Sequence, residues 1–162
     1  LAVPEDSVEL WRLVLQLYNE NGIFKLSPGK VDWLMKRALF SEMIPEGDEG
    51  PRGVIGVIGP TGALEAFVFI MVGTHWYTEE HCLEEIAVYT DSEYRKSNHT
   101  KAMVQWMAGQ SEKTGLKLIT GIMSNHRTEA KCRLYRRMLP KIGEFFMVHP
   151  SGNNLSLVSA SS

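Results

Sequence analysis

Between Thr90 and Thr100 the chain reads Thr-Asp-Ser-Glu-Tyr-Arg-Lys-Ser-Asn-His-Thr, a polar run that closes a β-branched stretch and opens a helical one. Arg95 and Lys96 stand directly before Ser97, Asn98, His99 and Thr100. The first amides of a helix have no carbonyl partner inside it, and the helix dipole favours negative charge at that end. Residues 96–100 fall where those amides are expected. Two cations and the Ser97 hydroxyl beside them suit a diphosphate or another compact anion. Asn98 tolerates a left-handed backbone better than most residues, should the loop require one.

The distribution of charge agrees with an anionic ligand for this part of the chain. The net charge is −2, but residues 1–94 hold 6 Lys/Arg against 16 Asp/Glu while residues 95–162 hold 11 against 3. A nucleic acid is not the expected partner, because the acidic part would repel phosphates. Nor are aromatic and basic residues interleaved as a base-stacking strand needs. Cys82 and Cys132 are far apart and form no CxxC, so neither a disulfide framework nor a metal knuckle is expected. No apolar run approaches the roughly 18 to 20 residues of a membrane span, and the first residues are acidic, not a basic leader. The expectation is a cytoplasmic protein with no membrane partner and no metal.

The elements that must position the loop follow from periodicity. Val8, Leu10, Trp11, Val14, Leu15, Leu17 and Tyr18 recur at helical spacing up to Asn21-Gly22. Ser27-Pro28 predicts a capped start for a second helix through Val31, Leu34, Met35, Ala38 and Leu39. Residues 53–58 and 64–73 read as strands joined by the Gly59-Pro60-Thr61-Gly62 turn, and 82–90 as a third strand. A helix over 98–112, a strand over 116–123, a helix over 128–139 and short strands at 145–148 and 155–158 complete the pattern. The order is α α β β β α β α β β, with a further strand lost or shortened before Leu1. One domain over 1–162 is expected, α/β in the α+β sense. Its mostly antiparallel central sheet contains one parallel β-α-β crossover at 82–123 and is flanked by helices.

The 90–100 junction resembles the pyrophosphate loop of the GNAT (GCN5-related N-acetyltransferase) superfamily, in the frame Thr90, Ser92, Arg95, Asn98, Thr100. Ser92, Asn98 and Thr100 replace the usual proline, glycine and small residue. Its Arg-x-Ser-x-His form is similar to a variant found among phage and prophage members. A second segment, Asn125, Thr128, Lys131, Leu134-Tyr135 and Gly143, resembles the family's closing Asn, Leu-Tyr and glycine-aromatic turn, with Thr128 and Lys131 departing from it.

The resemblance implies acetyl-CoA as co-substrate and direct acetyl transfer to a primary amine in a ternary complex. Tyr135 is then the acid for the leaving thiolate. Val88, Tyr89 and Thr90 pair with pantetheine and offer amides to the oxyanion. Residues Arg95, Lys96, Ser97, Asn98, His99 and Thr100 hold the diphosphate, and Asn125, Thr128 and Lys131 complete the cofactor contacts. Counting back from Arg95 favours Glu84 as the base, with Glu85 on the opposite face as its substitute and His81 behind both; His75 and Tyr77 are further candidates. An acidic groove is expected for the amine, whether a small molecule, a protein lysine or an N-terminus. A homodimer is possible under this reading. A GNAT-shaped protein that binds CoA without turnover, for instance in a phage particle, is the competing reading.

Overall fold

The computed structural model describes residues 1–124, 126–144 and 147. The first two helices are α1, Ser7–Asn21, and α2, Pro28–Leu39. Strands β1, Arg52–Ile58, β2, Ala66–Thr74, and β3, His81–Thr90, follow in succession. Helix α3, His99–Thr114, leads to β4, Lys117–Ile119, and then α4, Thr128–Met138. The expected strands at 145–148 and 155–158 lie outside the described residues.

The four strands pair in the order β1-β2-β3-β4. The first two pairings are antiparallel and β3–β4 is parallel, so α3 is the crossover that the sequence pattern predicted. The sheet separates two apolar layers. On one face Ile55, Phe69 and Ala87 form a single rung across β1, β2 and β3, with Phe67 and Tyr89 on another. These pack under α1 and α2 through Leu10, Leu13, Met35 and Ala38. On the other face Ala66, Val68, Ile70 and Leu83 meet Met103, Val104 and Met107 of α3. Strand alternation sends successive side chains to opposite faces, and both faces of β2 are covered. Its burial is accordingly continuous from Ala66 to Met71.

Turn chemistry sets the joints. Gly59 and Gly62 adopt φ of 106° and 85° in the β1–β2 turn, and Gly115 ends α3 at φ 70°. Such positive φ favours glycine, which has no Cβ to clash. Ser27 does stand at the N-cap of α2 with Pro28 behind it, but its side chain makes no capping hydrogen bond. The first residues touch the sheet through the Ala2 N–H, which donates to Ile55 C=O at 2.8 Å.

Candidate active site

Strands β3 and β4 begin side by side and then part. Their ladder holds only at Cys82–Lys117, Leu83–Leu118 and Glu84–Ile119, so the strand predicted over 116–123 is cut to three residues. Strand β3 itself continues to pair with β2 as far as Thr90. Where the two part, β3 bulges: Ile70 faces Glu85 and Phe69 faces Ala87, leaving Ile86 unpaired and 45% exposed. An extra residue bends and twists a strand, which turns the outer half of β3 away from the chain after Ile119. The wedge opens into a cavity of about 620 Å³ bordered by residues 85–90, residues 121–124 and helices α1, α2 and α4. It reaches both faces of the sheet.

Glu85 and Tyr135 meet in the wall of this cavity. The Tyr135 hydroxyl donates to the Glu85 carboxylate, 3.1 Å from Oε1 and 3.0 Å from Oε2, and the Thr120 hydroxyl donates to Oε2. Burial pushes the Glu85 carboxyl above its ordinary range, with the two hydroxyls pulling the other way. Tyr135 is raised by burial first and then by the charge of Glu85, so its phenol stays protonated. Glu84 does not border the cavity. It faces Met71 on the opposite side of β3 and crowds Gly73, where a Cβ would lie 2.8 Å from its Cδ. The Cys82 thiol is 3.9 Å from Glu84 Oε1 and is pushed up by burial and by that carboxylate. His81, His75 and Tyr77 also lie away from the cavity, the last of them 71% exposed.

Of the expected cofactor residues, Val88, Tyr89, Thr90, Arg95, Thr100 and Lys131 line the cavity. Thr90 and Thr100 hydroxyls are 2.9 Å apart, tying the end of β3 to the first turn of α3. Lys96, Ser97 and Asn98 are exposed. Asn98 has φ −90° and no residue from 90 to 100 has positive φ, so the loop makes no use of a left-handed residue. The tolerance of Asn98 for such a conformation is therefore not called on. The His99 imidazole is held 2.6 Å from Glu65 Oε2 and stacks on Tyr94. Thr128 donates to the carbonyl of Ser124 at 2.7 Å. Asn125 lies outside the described residues.

Residues that sequence reasoning passed over complete the wall. Glu20 pairs with Arg95 and accepts a 2.8 Å bond from the Tyr89 hydroxyl. Burial and this bond push Tyr89 up to about 12. Lys131 Nζ donates to Asn21 Oδ1 at 2.7 Å and to Ser124 Oγ at 2.8 Å, and burial lowers its pKa. A signal for Glu20 and Asn21 was present. Leu10, Val14 and Leu17 fall at i, i+4 and i+7, and continuing that stripe puts Glu20 and Asn21 on the inward face of α1.

Asp91 anchors the loop from behind. Its carboxylate takes Arg12 of α1 at 2.5 Å and the Glu93 amide at 3.1 Å, while its own amide donates to Glu65 C=O at 2.8 Å. Burial alone would raise its pKa, but Arg12 and the Glu93 amide outweigh that and hold it low.

No protein-family model matches the sequence, and no curated protein does. Solved structures do match in shape. Ribosomal-protein-alanine N-acetyltransferase from Brucella melitensis biovar Abortus 2308 superposes with TM-score 0.64 at 15% identity, over 92% of this chain and 94% of that one. Glucosamine-6-phosphate N-acetyltransferase from Arabidopsis thaliana gives 0.59 at 18% identity over 92% and 94%. An aminoglycoside acetyltransferase from an uncultured soil metagenomic sample gives 0.57 at 10% identity over 89% and 88%. The sheet order, the parallel crossover and this likeness over nine-tenths of the chain agree: its fold is the GNAT acetyltransferase fold.

Proposed function

We propose that the chain binds acetyl-CoA in the wedge beside β3 and transfers the acetyl group to a primary amine. The observation that carries this reading is the Glu85–Tyr135 pair, set in the wall of a cavity that also bears Arg95 and Lys131. The residues fit such a ligand. Among the described residues the wedge side of β3 has no strand partner beyond Glu84, which leaves main-chain groups around Val88 to Thr90 for an extended arm. Arg95, with the first amides of α3 at 98–100 and the exposed Lys96 and Ser97 beside them, supplies a diphosphate site. Lys131 on α4 borders the same cavity from the other side.

The bound thioester supplies the activated acyl carbon. The acceptor arrives as an ammonium with a pKa near 10 and loses one proton to solvent before it attacks, so Glu85 and Tyr135 handle the second, which leaves nitrogen as the amide forms. Glu85, whose raised pKa makes it a stronger base than an exposed carboxylate, removes the proton from the attacking nitrogen. Tyr135 donates its proton to the departing sulfur. Because the charge of Glu85 is one of the causes that raise Tyr135, a protonated Glu85 makes Tyr135 the stronger acid. Glu85 then returns its proton to Tyr135. The pair moves one proton from nitrogen to sulfur and ends as it began. In this assignment the base is Glu85 and not Glu84, since only Glu85 borders the cavity.

Calorimetric titration with acetyl-CoA, followed by a free-thiol release assay over a panel of amines, tests the reading. Saturable binding with amine-dependent thiol release supports it. Binding without release for every amine leaves a CoA-binding protein without turnover, and no binding removes the proposal.

A further inference from the structure

The cavity is chemically divided. Near the wedge it carries Glu85, Tyr135, Arg95 and Lys131, whereas between α1, α2 and the sheet its wall is Val14, Leu17, Val31, Leu34, Phe69 and Ala87. That apolar end follows from the fold: Phe69 and Ala87 share one rung of the sheet, and the helix residues recur at i, i+3 spacing above it. The acidic groove that the sequence suggested for the acceptor is not there. Among the described residues only two carboxylates line the cavity, Glu20 and Glu85, against Arg95, Arg127 and Lys131, and Glu20 is already paired with Arg95. A polycation finds no matching charge in such a site. A small-molecule pocket typically spans about 300 to 1,000 Å³, so about 620 Å³ accommodates an acyl donor's arm and a second apolar body together.

Resting on the acyltransfer reading above, we propose that the acceptor is a monoamine with an apolar body, an alkylamine or arylalkylamine. Its amino group reaches Glu85 through the wedge and its body lies between α1, α2 and the sheet. One apolar wall and one proton acceptor select such a molecule over spermidine, aminoglycosides or lysine-rich peptides. Each methylene buried in the apolar end adds a transfer gain, and an extra ammonium carried into that end is penalised.

The test is a series of n-alkylamines from propylamine to octylamine with acetyl-CoA, read by thiol release. We expect kcat/KM to rise about threefold to fourfold per methylene until the cavity is filled. Phenethylamine should exceed spermidine and kanamycin by about tenfold or more. Val31→Asp, which puts a carboxylate in the apolar end, should flatten the gradient. A titration of octylamine against propylamine without cofactor gives a second readout that needs no variant, with octylamine about tenfold tighter or more. A flat or falling amine series overturns the proposal, as does preference for the polycations. So does a length gradient on the acyl side alone, octanoyl-CoA outrunning acetyl-CoA. Failure of acetyl-CoA to bind removes the acyltransfer reading instead, and the cofactor-free titration then decides whether the apolar end holds amines.

Discussion

Glu85 receives two hydroxyl donors that favour its ionised form, while burial favours the protonated one. Tyr135→Phe removes one donor and keeps the ring. The acid limb of the kcat/KM profile should therefore move to higher pH, and the rate should fall about 10²-fold if the phenol is the acid. The lost hydrogen bond should cost about 1 kcal/mol of stability by urea denaturation. A full rate with an unmoved profile would leave Tyr135 as packing only. Glu85→Gln should lower turnover about 10²-fold or more with acetyl-CoA affinity unchanged, whereas Glu84→Gln should stay active. Glu20→Gln makes a forecast of opposite sign for binding: freeing Arg95 from its ion pair should tighten CoA by severalfold, read by calorimetry. Arg95→Glu should weaken it about tenfold or more. The choice between the two glutamates shows what sequence conceals. Counting back along β3 from Arg95 assumes strict alternation, but the unpaired Ile86 inserts one residue and exchanges the faces of Glu84 and Glu85. Tyr135 and Arg95 lie on a helix and a loop that nothing interrupts, and both border the cavity.

Elements were more legible than side chains because periodicity averages over many residues. Helices α1, α2, α3 and α4 start within about one residue of their predicted positions, as caps and apolar stripes require. Strand β4 fell short for a reason outside its own composition: its partner bends away at the bulge, and a strand without a ladder ends. The two apolar layers should also differ in response to truncation. Met107 is fully enclosed against the sheet, so Met107→Ala should cost about 2 to 5 kcal/mol. Leu34 borders the cavity and already lacks neighbours on one side, so Leu34→Ala should cost less, about 1 to 2 kcal/mol. Equal losses in urea titrations would mean that the cavity closes in solution.

Across the whole molecule, acid should act through two carboxylates in opposite directions. Asp91 has a lowered pKa, so its contribution is present above the ordinary carboxylate range and is lost as pH falls through its folded value. Glu85 has a raised pKa, so the native state takes its proton first, and its contribution improves as pH falls through that raised value toward the ordinary range. Thermal melts of Glu85→Gln should show the loss at low pH without the offset. The parting of β3 from β4 has a consequence of another kind. One edge of β3 is bonded to β2 from His81 to Thr90 except at the Ile86 bulge, while among the described residues the other is bonded only as far as Glu84. Within one strand, amides turned to β2 should exchange their hydrogens for deuterium slowly, and alternate amides between Ile86 and Thr90 that face the wedge should exchange fast. A ligand arm laid along that edge supplies the missing acceptors. Acetyl-CoA should then slow the fast set and leave the slow set as an internal reference, so that a peptide covering 81–90 reports occupancy of the wedge without any turnover being measured.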